Sequence, residues 1–211
     1  MDGLELRGIF THAGHAYGAA SHEEVRNIGR GEGEVLVETA GLLRARGVPC
    51  PVVSVGSTPT AFSAGSVPGV TELRPGNYVF YDRMQVALGS AHLEDCALSV
   101  LSTVISRPAR DRAVIDAGSK TFALDRGAHG LDALRGYGFD HSAGLVVDRL
   151  SEEHGILQLT PDEDARVCVG TRLRLVPNHA CTVANLADRL VGVRGGVVTE
   201  VLPVMVRGGG C

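Results

Sequence analysis

The sequence predicts two architectures in succession, an α/β region followed by an all-β region. The α/β prediction depends on a strand, a long helix and a second strand in the first third of the chain. The all-β prediction depends on short apolar stretches that recur between turns rich in glycine, proline and aspartate after about residue 75. A strand–helix–strand unit places its two strands in parallel, so the first region should contain a parallel sheet.

The elements of the α/β region have recognisable ends. Residues 4–11 form an apolar run typical of a buried strand. Ser21 is a good N-cap, with acidic residues at 23 and 24 in the first turn, and the helical pattern that follows ends near Gly47. Residues 51–55 then form a second short apolar strand. Because such a piece has too few strands to close a barrel, we expect the chain to begin within a domain.

The all-β region contains eight strand-like segments at short intervals. The last two are separated by residues 194–196 (Arg-Gly-Gly), which predicts a hairpin. The eight predicted strands are residues 78–81, 97–106, 112–116, 144–147, 155–160, 172–176, 190–193 and 197–201.

Composition excludes several classes of function. The chain has 211 residues, of which 44% are hydrophobic and 21% charged, as expected for a water-soluble globular protein. The net charge of −4 and the absence of basic clusters argue against nucleic-acid partners. No apolar run is long enough to span a membrane and no signal peptide is evident, so we expect a cytoplasmic protein. Five cysteines without close pairs do not indicate a disulfide framework.

A histidine and a cysteine follow the strand predicted at residues 172–176. On an extended backbone, His179 and Cys181 would point to the same face, and imidazole with thiolate suits zinc. A structural zinc site needs four ligands, however. A chance His-x-Cys with an inert, buried thiol is therefore the default interpretation of these residues taken alone.

Two other segments lie at the predicted ends of parallel strands, where α/β folds place their binding loops. Residues 56–60 (Gly-Ser-Thr-Pro-Thr) offer hydroxyls and backbone N–H groups for a phosphate, although an ordinary turn has the same composition. His12, His15 and Tyr17 follow the first strand. Gly76 and Asn77 form a junction turn that would let an anion approach the backbone.

Six motifs together resemble the D-serine dehydratase/D-threonine aldolase branch of the alanine-racemase-like (fold type III) pyridoxal-phosphate enzymes. They occur in the family's order and extend over nearly the whole chain. The motifs are residues 12–17 (His-Ala-Gly-His-Ala-Tyr), 56–60, 72–80 (Glu-Leu-Arg-Pro-Gly-Asn-Tyr-Val-Phe), 116–120 (Asp-Ala-Gly-Ser-Lys), 152–155 (Glu-Glu-His-Gly) and 177–181 (Pro-Asn-His-Ala-Cys).

The resemblance implies a fold and a set of ligands. Residues 1–76 would be the C-terminal half of a (β/α)8 alanine-racemase-type barrel that binds pyridoxal 5′-phosphate, and residues 77–211 a β-rich D-serine dehydratase-like domain. His179 and Cys181 would hold zinc or another divalent metal facing the substrate. The residues implied to bind the cofactor are Ser57, Thr58, Gly76 and Asn77 at its phosphate, with His12 and Tyr17 near its ring or the substrate.

The chain departs from the family in its lysines. Family members carry a Schiff-base lysine on the first barrel strand, upstream of every motif matched here, whereas Lys120 is the only lysine of this chain. Lys120 lies in a motif that matches a different family position, so we do not give it that role. We therefore expect the N-terminal half of the barrel to be missing, and no catalytic residue is assigned with certainty.

The implied activity is that of a lyase. The intact enzyme would dehydrate and deaminate D-serine or D-threonine to a 2-oxo acid and ammonia, and it would form a homodimer. Aldol cleavage of D-threonine or 3-hydroxy-D-aspartate is an alternative that the residues do not separate from the first. A further alternative is that this chain is an inactive truncated fragment.

Overall fold

The computed structural model describes residues 3–127 and 134–207, which fold as two compact units. Unit 1 is the chain up to Val79 together with Gln85–His92. Unit 2 contains Phe80–Met84 and the rest of the described chain from Leu93. The domain boundary after residue 76 stays a prediction.

Unit 1 is built on a three-stranded parallel sheet, as the strand–helix–strand pattern predicted. Its strands lie in the order β1-β2-β3, with Gly8 opposite Val52 and Ser54 opposite Glu72. The predicted strand at residues 4–11 is shorter than expected, because Leu4 and Leu6 are exposed and unpaired. The elements are β1 (Gly8–Phe10), a 3₁₀ helix (Gly14–Gly18), α1 (His22–Ala45), β2 (Val52–Val55), α2 (Ala61–Gly65), β3 (Glu72–Leu73) and a 3₁₀ helix (Asn77–Val79).

Helix α1 has the ends that its sequence predicted. The Ser21 hydroxyl accepts a hydrogen bond from the backbone N–H of Glu24 at 3.1 Å, which caps the first turn. After the helix ends, Gly47 adopts a φ of 76°, a conformation that glycine reaches without steric cost. The buried face of the helix consists of Val25, Gly29, Gly33, Leu36 and Ala40, a spacing of three to four residues.

Two glycines let α1 approach α2 closely. A Cβ atom added at Gly33 would lie 2.8 Å from Val67 Cγ2 and 3.0 Å from the Ala64 carbonyl oxygen. One added at Gly29 would overlap the Ser63 hydroxyl. Gly31, in the same helix, has no such neighbour within 4 Å.

We expect opposite effects on stability from alanine at neighbouring glycines of α1. Gly33→Ala should lower the free energy of unfolding by about 1–3 kcal/mol, because the added methyl group overpacks the contact with Val67. Gly31→Ala should raise it by up to about 1 kcal/mol through helix propensity alone. Urea denaturation of both variants checks this. An equal gain in stability from both substitutions would contradict the close approach of α1 to Val67 at Gly33.

Unit 2 is a closed six-stranded antiparallel barrel. Its strand order is β4-β5-β8-β7-β6-β9, with β9 also paired to β4. The interior is filled by aliphatic side chains, among them Val104, Ile115, Val147, Leu157 and Leu175, all fully buried. The strands are β4 (Val100–Ala109), β5 (Arg112–Ile115), β6 (Gly138–Asp140), β7 (Leu145–Leu150), β8 (Gly155–Gln158) and β9 (Arg172–Pro177).

The remaining elements of the chain are short. The predicted hairpin is confirmed as β10 (Arg189–Arg194) and β11 (Val197–Pro203), which pair with each other in an antiparallel ribbon. Like α2, four further short helices were not predicted: α3 (Arg83–Ala87), α4 (Ser119–Phe122), α5 (Pro161–Asp164) and α6 (Ala180–Leu186).

The sequence prediction was wrong at residues 78–81. A 3₁₀ helix occupies Asn77–Val79 in place of a strand, and Tyr81 has a φ of 49°, which interrupts any extended backbone. Strands β3 and β6 were missed because two or three residues are too few to show an alternating pattern.

Two further findings concern the cysteines and the length of the helices within the described ranges. The four cysteines found there, at positions 50, 96, 168 and 181, are free thiols. No helix within residues 3–127 or 134–207 has both the length and the apolar character needed to cross a membrane.

Candidate functional site

Four of the predicted cofactor-binding residues lie together at the carboxyl ends of β2 and β3. Ser57 and Thr58 follow β2, and Gly76 and Asn77 follow β3. The backbone N–H of Asn77 donates to the Thr58 hydroxyl at 2.9 Å, so the two loops are directly joined. Ser57, Thr58 and Asn77 are all buried. The chain therefore brings these four residues into one place.

These loops have the features of an anion-binding cradle. In the described part of unit 1, the backbone N–H groups of Ser57, Thr58 and Gly76 donate to no protein acceptor. A Cβ atom added at Gly76 would meet nothing within 4 Å, so the space beside this backbone is open. Ser57 has a φ of 138°, which a residue with a side chain rarely adopts and which is frequent at functional sites.

The segment with His12 runs beside this cradle. The backbone N–H of Ala13 donates to the Gly56 carbonyl at 3.2 Å, which joins the loop after β1 to the loop after β2. His12 is exposed at this position. Tyr17 is buried within the 3₁₀ helix Gly14–Gly18. The contact of either side chain with a cofactor stays a prediction.

Glu32 is a residue of this site that sequence reasoning missed. Its carboxylate accepts hydrogen bonds from the Thr11 hydroxyl at 2.7 Å, the Gly56 N–H at 3.2 Å and the Thr60 hydroxyl at 3.3 Å. A signal was present in the sequence, because Glu32 interrupts the small and apolar stripe of α1 beside Gly33. A charge on that stripe must find partners inside the fold.

Polar side chains also cover the open face of the sheet in unit 1. Arg74 donates through Nε to the Ser54 hydroxyl at 2.8 Å, and Ser54 donates to Glu72 at 2.5 Å. The Arg74 guanidinium also donates to the Thr11 carbonyl and lies 5.1 Å from the centre of the Phe10 ring. A shallow depression of about 440 Å³ is lined in part by Phe10, Ser54, Glu72 and Arg74. Ser54 is buried beneath this group, whereas Glu72 and Arg74 are exposed.

In unit 2, buried polar groups hold the segment that follows β9 by hydrogen bonds. Asn178 is fully buried; its side-chain amide donates to the carbonyls of Arg126 and Gly136 and accepts from Arg83 at 2.7 Å. The buried carboxylate of Asp82 accepts from the Ala180 N–H at 2.8 Å, at the first turn of α6. These contacts fix the backbone on both sides of His179.

The expectation of an extended backbone through His179 and Cys181 was wrong. His179 is extended, with φ −132° and ψ 108°, but it is the N-cap of α6, and Cys181 belongs to the first helical turn. Cys181 nevertheless lies near enough to be the largest cause of the raised pKa of His179. Their proximity therefore comes from a strand-to-helix transition and not from strand spacing.

An aspartate on the far side of the ring completes this arrangement. Asp125 lies with its Oδ2 2.5 Å from His179 Nδ1. The interaction with Cys181 raises the pKa of His179 to about 9; burial opposes this shift and Asp125 adds to it. Burial opposes the ionisation of Asp125, but its hydrogen bonds, that with His179 foremost, together outweigh this effect and lower its pKa. Since Asp125 occupies Nδ1, the arrangement leaves Nε2 for a metal. No sequence signal marked Asp125, which lies 54 positions from its partner.

His179 and Cys181 are not part of a larger set of potential metal ligands in the described ranges. Within residues 3–127 and 134–207, no cluster of three or more histidine, cysteine, aspartate or glutamate side chains has the geometry of a metal site. Two protein ligands cannot complete a structural zinc site, but they leave positions open for a substrate.

Lys120 does not lie in either arrangement. Its Nζ is 2.5 Å from Glu153 Oε1 and 3.9 Å from Glu152 Oε2, and all three side chains are largely exposed. This is a surface ion-pair group, which contributes little to stability. Lys120 therefore has the surroundings of a structural surface residue.

Comparison with known proteins assigns both parts of the chain. Residues 1–84 match the family model described as alanine racemase, N-terminal domain, and residues 97–193 match the putative serine dehydratase domain. The chain belongs to the D-serine dehydratase/D-threonine aldolase family. Members of this family share the alanine-racemase-type fold, to which the parallel sheet and the β-barrel of this chain conform.

Curated relatives of this family include dehydratases and an aldolase. D-threo-3-hydroxyaspartate dehydratase of Delftia sp. is 43% identical over 191 residues, 85% of this chain and 50% of the relative. D-serine dehydratase of Dictyostelium discoideum is 32% identical (87% and 49%), and D-threonine aldolase of Arthrobacter sp. is 34% identical (99% and 53%). The chain thus spans about half the length of the curated relatives it matches.

A solved structure of the Delftia enzyme is similar to this chain throughout. The TM-score is 0.85 at 39% identity, over 96% of this chain and 57% of that one. A variant of the same enzyme, with one cysteine replaced by alanine and described as in the metal-free form, matches to the same degree.

Proposed function

We propose that this chain supplies the phosphate-binding and metal-binding parts of a lyase that acts on D-3-hydroxy amino acids. The reaction would be dehydration and deamination of D-serine, D-threonine or a 3-hydroxy-D-aspartate to a 2-oxo acid and ammonia. The observation that carries the proposal is the His179–Cys181 pair held by Asp125. In support, the similar Delftia enzyme bears the name of a dehydratase, and a solved structure of a cysteine-to-alanine variant of it is described as in the metal-free form.

We assign the phosphate of pyridoxal 5′-phosphate to the cradle in unit 1. Ser57, Thr58 and Gly76 offer backbone N–H groups with no protein acceptor, and the N–H of Asn77 holds Thr58 in place. Such donors at strand ends suit a dianion. When bound, the cofactor would supply an electron sink for the negative charge that develops at the substrate Cα. His12, exposed beside the cradle, would orient the ring, and Tyr17 would lie near the ring or the substrate.

We assign a divalent metal, preferably zinc, to His179 and Cys181. Imidazole nitrogen and thiolate sulfur are donors that bind zinc more readily than they bind harder cations such as magnesium or calcium. Asp125 would orient the imidazole, and Asp82 would fix the helix turn that presents Cys181. A metal held there with open positions would act as a Lewis acid on the β-hydroxyl of the substrate and help it leave as water.

Aldol cleavage is the second candidate, favoured by the similarity to D-threonine aldolase over 99% of this chain. A metal held by the same residues would then acidify the β-hydroxyl, which would give up its proton and become a carbonyl as the Cα–Cβ bond breaks. Family resemblance also supports a homodimer, and composition supports a cytoplasmic protein. A lysine supplied by further sequence would be needed in either reaction, because the surroundings of Lys120 give it no such role.

Asp125→Asn should weaken zinc binding by about 10- to 100-fold, because the neutral amide orients and polarises the imidazole less well. The dissociation constant is measured by competition with a chromogenic chelator. Asp188→Asn, a change at an exposed aspartate of the same unit, is the matched control and should leave zinc affinity unchanged. Equal affinities in all three proteins would contradict the role of Asp125.

The reaction itself is tested by co-expressing this chain with the part of the Delftia dehydratase that lies outside the matched region. With D-threonine, pyridoxal phosphate and zinc, we expect 2-oxobutyrate and ammonia, and loss of at least 100-fold in activity in Cys181→Ala from removal of a metal ligand. Cys168→Ala, which alters another exposed thiol, should keep full activity. Release of glycine would overturn dehydration in favour of aldol cleavage.

A further inference from the structure

The carboxylate of Glu32 binds two separate loops of unit 1. It accepts from Thr11, which precedes His12 after β1, and from Gly56 and Thr60, which flank Ser57 after β2. Hydrogen bonds to an ionised carboxylate are about twice as strong as those between neutral groups. Glu32 therefore ties the loop after β1 to the loop after β2, in addition to the backbone hydrogen bond from Ala13 to Gly56.

The contacts of Glu32 surround the strained residue of the cradle. On one side of Ser57, Glu32 accepts from the Gly56 N–H; on the other, it accepts from the Thr60 hydroxyl, which shares a 2.8 Å hydrogen bond with the Ser57 hydroxyl. A backbone with a φ of 138° costs about 1–3 kcal/mol and persists only when its surroundings enforce it. Glu32 is a carboxylate with contacts on both sides of Ser57, at Gly56 and at Thr60, and is therefore placed to contribute to this enforcement.

The same contacts couple the cradle to His12. Gly56 donates its N–H to Glu32 and accepts the Ala13 N–H at its carbonyl, while Thr11 is bound directly to Glu32. A shift of the carboxylate would therefore move both loops together. Because like charges repel, Glu32 cannot itself be a phosphate ligand, and any effect on the ligand must pass through the loops.

We propose that Glu32 is a positioning residue that holds the 56–58 loop in its phosphate-binding conformation and in register with His12. The inference depends on the cofactor site proposed above, and it goes beyond it by naming the group that maintains the site. A merely structural carboxylate would affect stability alone, whereas a positioning residue must change how well the site distinguishes a phosphate-bearing ligand.

The test measures binding of pyridoxal 5′-phosphate and of pyridoxal, which lacks the phosphate, to the full chain by equilibrium dialysis. Glu32→Ala should reduce the preference for the phosphorylated compound by about tenfold, the equivalent of one charge-assisted hydrogen bond. Glu32→Gln, whose amide oxygen still accepts from Thr11 and Gly56, should restore most of it. Glu34→Ala, the same change at an exposed position of α1, is the control.

Amide hydrogen exchange by NMR gives a second readout without ligand. Glu32→Ala should accelerate exchange at Gly56 and Ala13 together by at least tenfold relative to Glu34→Ala, since both amides depend on the same carboxylate. If Glu32→Ala does not fold, Glu32→Gln should still show a several-fold faster amide exchange at Gly56, because the neutral amide oxygen of glutamine is a weaker acceptor than the carboxylate.

The outcomes separate the two proposals. If the wild-type chain does not prefer pyridoxal phosphate over pyridoxal, the proposed cofactor site is wrong and the positioning role is overturned with it. If the wild type prefers the phosphate and Glu32→Ala does so equally, only the positioning role is overturned. Unchanged exchange at Gly56 in both Glu32 variants also overturns it.

Discussion

The pairing of β9 on both of its edges is the constraint on which the metal-binding segment depends. Leu175 pairs with Val100 of β4 and with Asp140 of β6, and Pro177 pairs with Gly138. A strand hydrogen-bonded on both sides cannot slip by a residue without turning its buried side chains outward. Closure of the barrel therefore sets where the chain leaves β9, and His179 follows two residues later.

Polar groups then convert this fixed exit into a binding geometry. The buried side-chain amide of Asn178 donates to the carbonyls of Arg126 and Gly136, and Asp82 accepts the first N–H of α6. These interactions hold the turn in which His179 and Cys181 meet. In unit 1, Glu32 has the corresponding task for two loops at the ends of parallel strands. Each candidate site thus depends on a carboxylate that orders its backbone and binds no ligand itself, Asp82 in unit 2 and Glu32 in unit 1.

Patterns of local origin were predictable from the sequence, while long-range pairings were not. The cap of α1 at Ser21, the parallel arrangement of β1 and β2, and the hairpin of β10 with β11 follow from short-range rules that tertiary contacts do not override. The family motifs singled out Ser57, Asn77 and His179 as candidate site residues, and their roles stay predictions. By contrast, the Asp125–His179 contact joins segments 54 residues apart, and periodicity carries no information about it.

Two errors have specific physical causes. The run 78–81 has the composition of a strand, but the left-handed backbone at Tyr81 ends it, and only the folded chain shows this. The His-x-Cys pair was interpreted on strand spacing, whereas α6 begins between its two residues. Glu32 was detectable in principle, since a carboxylate on the buried stripe of α1 needs an internal partner, but its partners lie on loops whose positions the sequence does not specify.

X-ray absorption at the zinc edge of the zinc-loaded chain tests most directly whether His179 and Cys181 form an open metal site. We expect one sulfur ligand at about 2.3 Å, with the other ligands nitrogen or oxygen at about 2.0–2.2 Å. The sulfur should disappear in Cys181→Ala and persist in Cys168→Ala. A site with several sulfur ligands, or one whose sulfur persists without Cys181, would contradict the assignment.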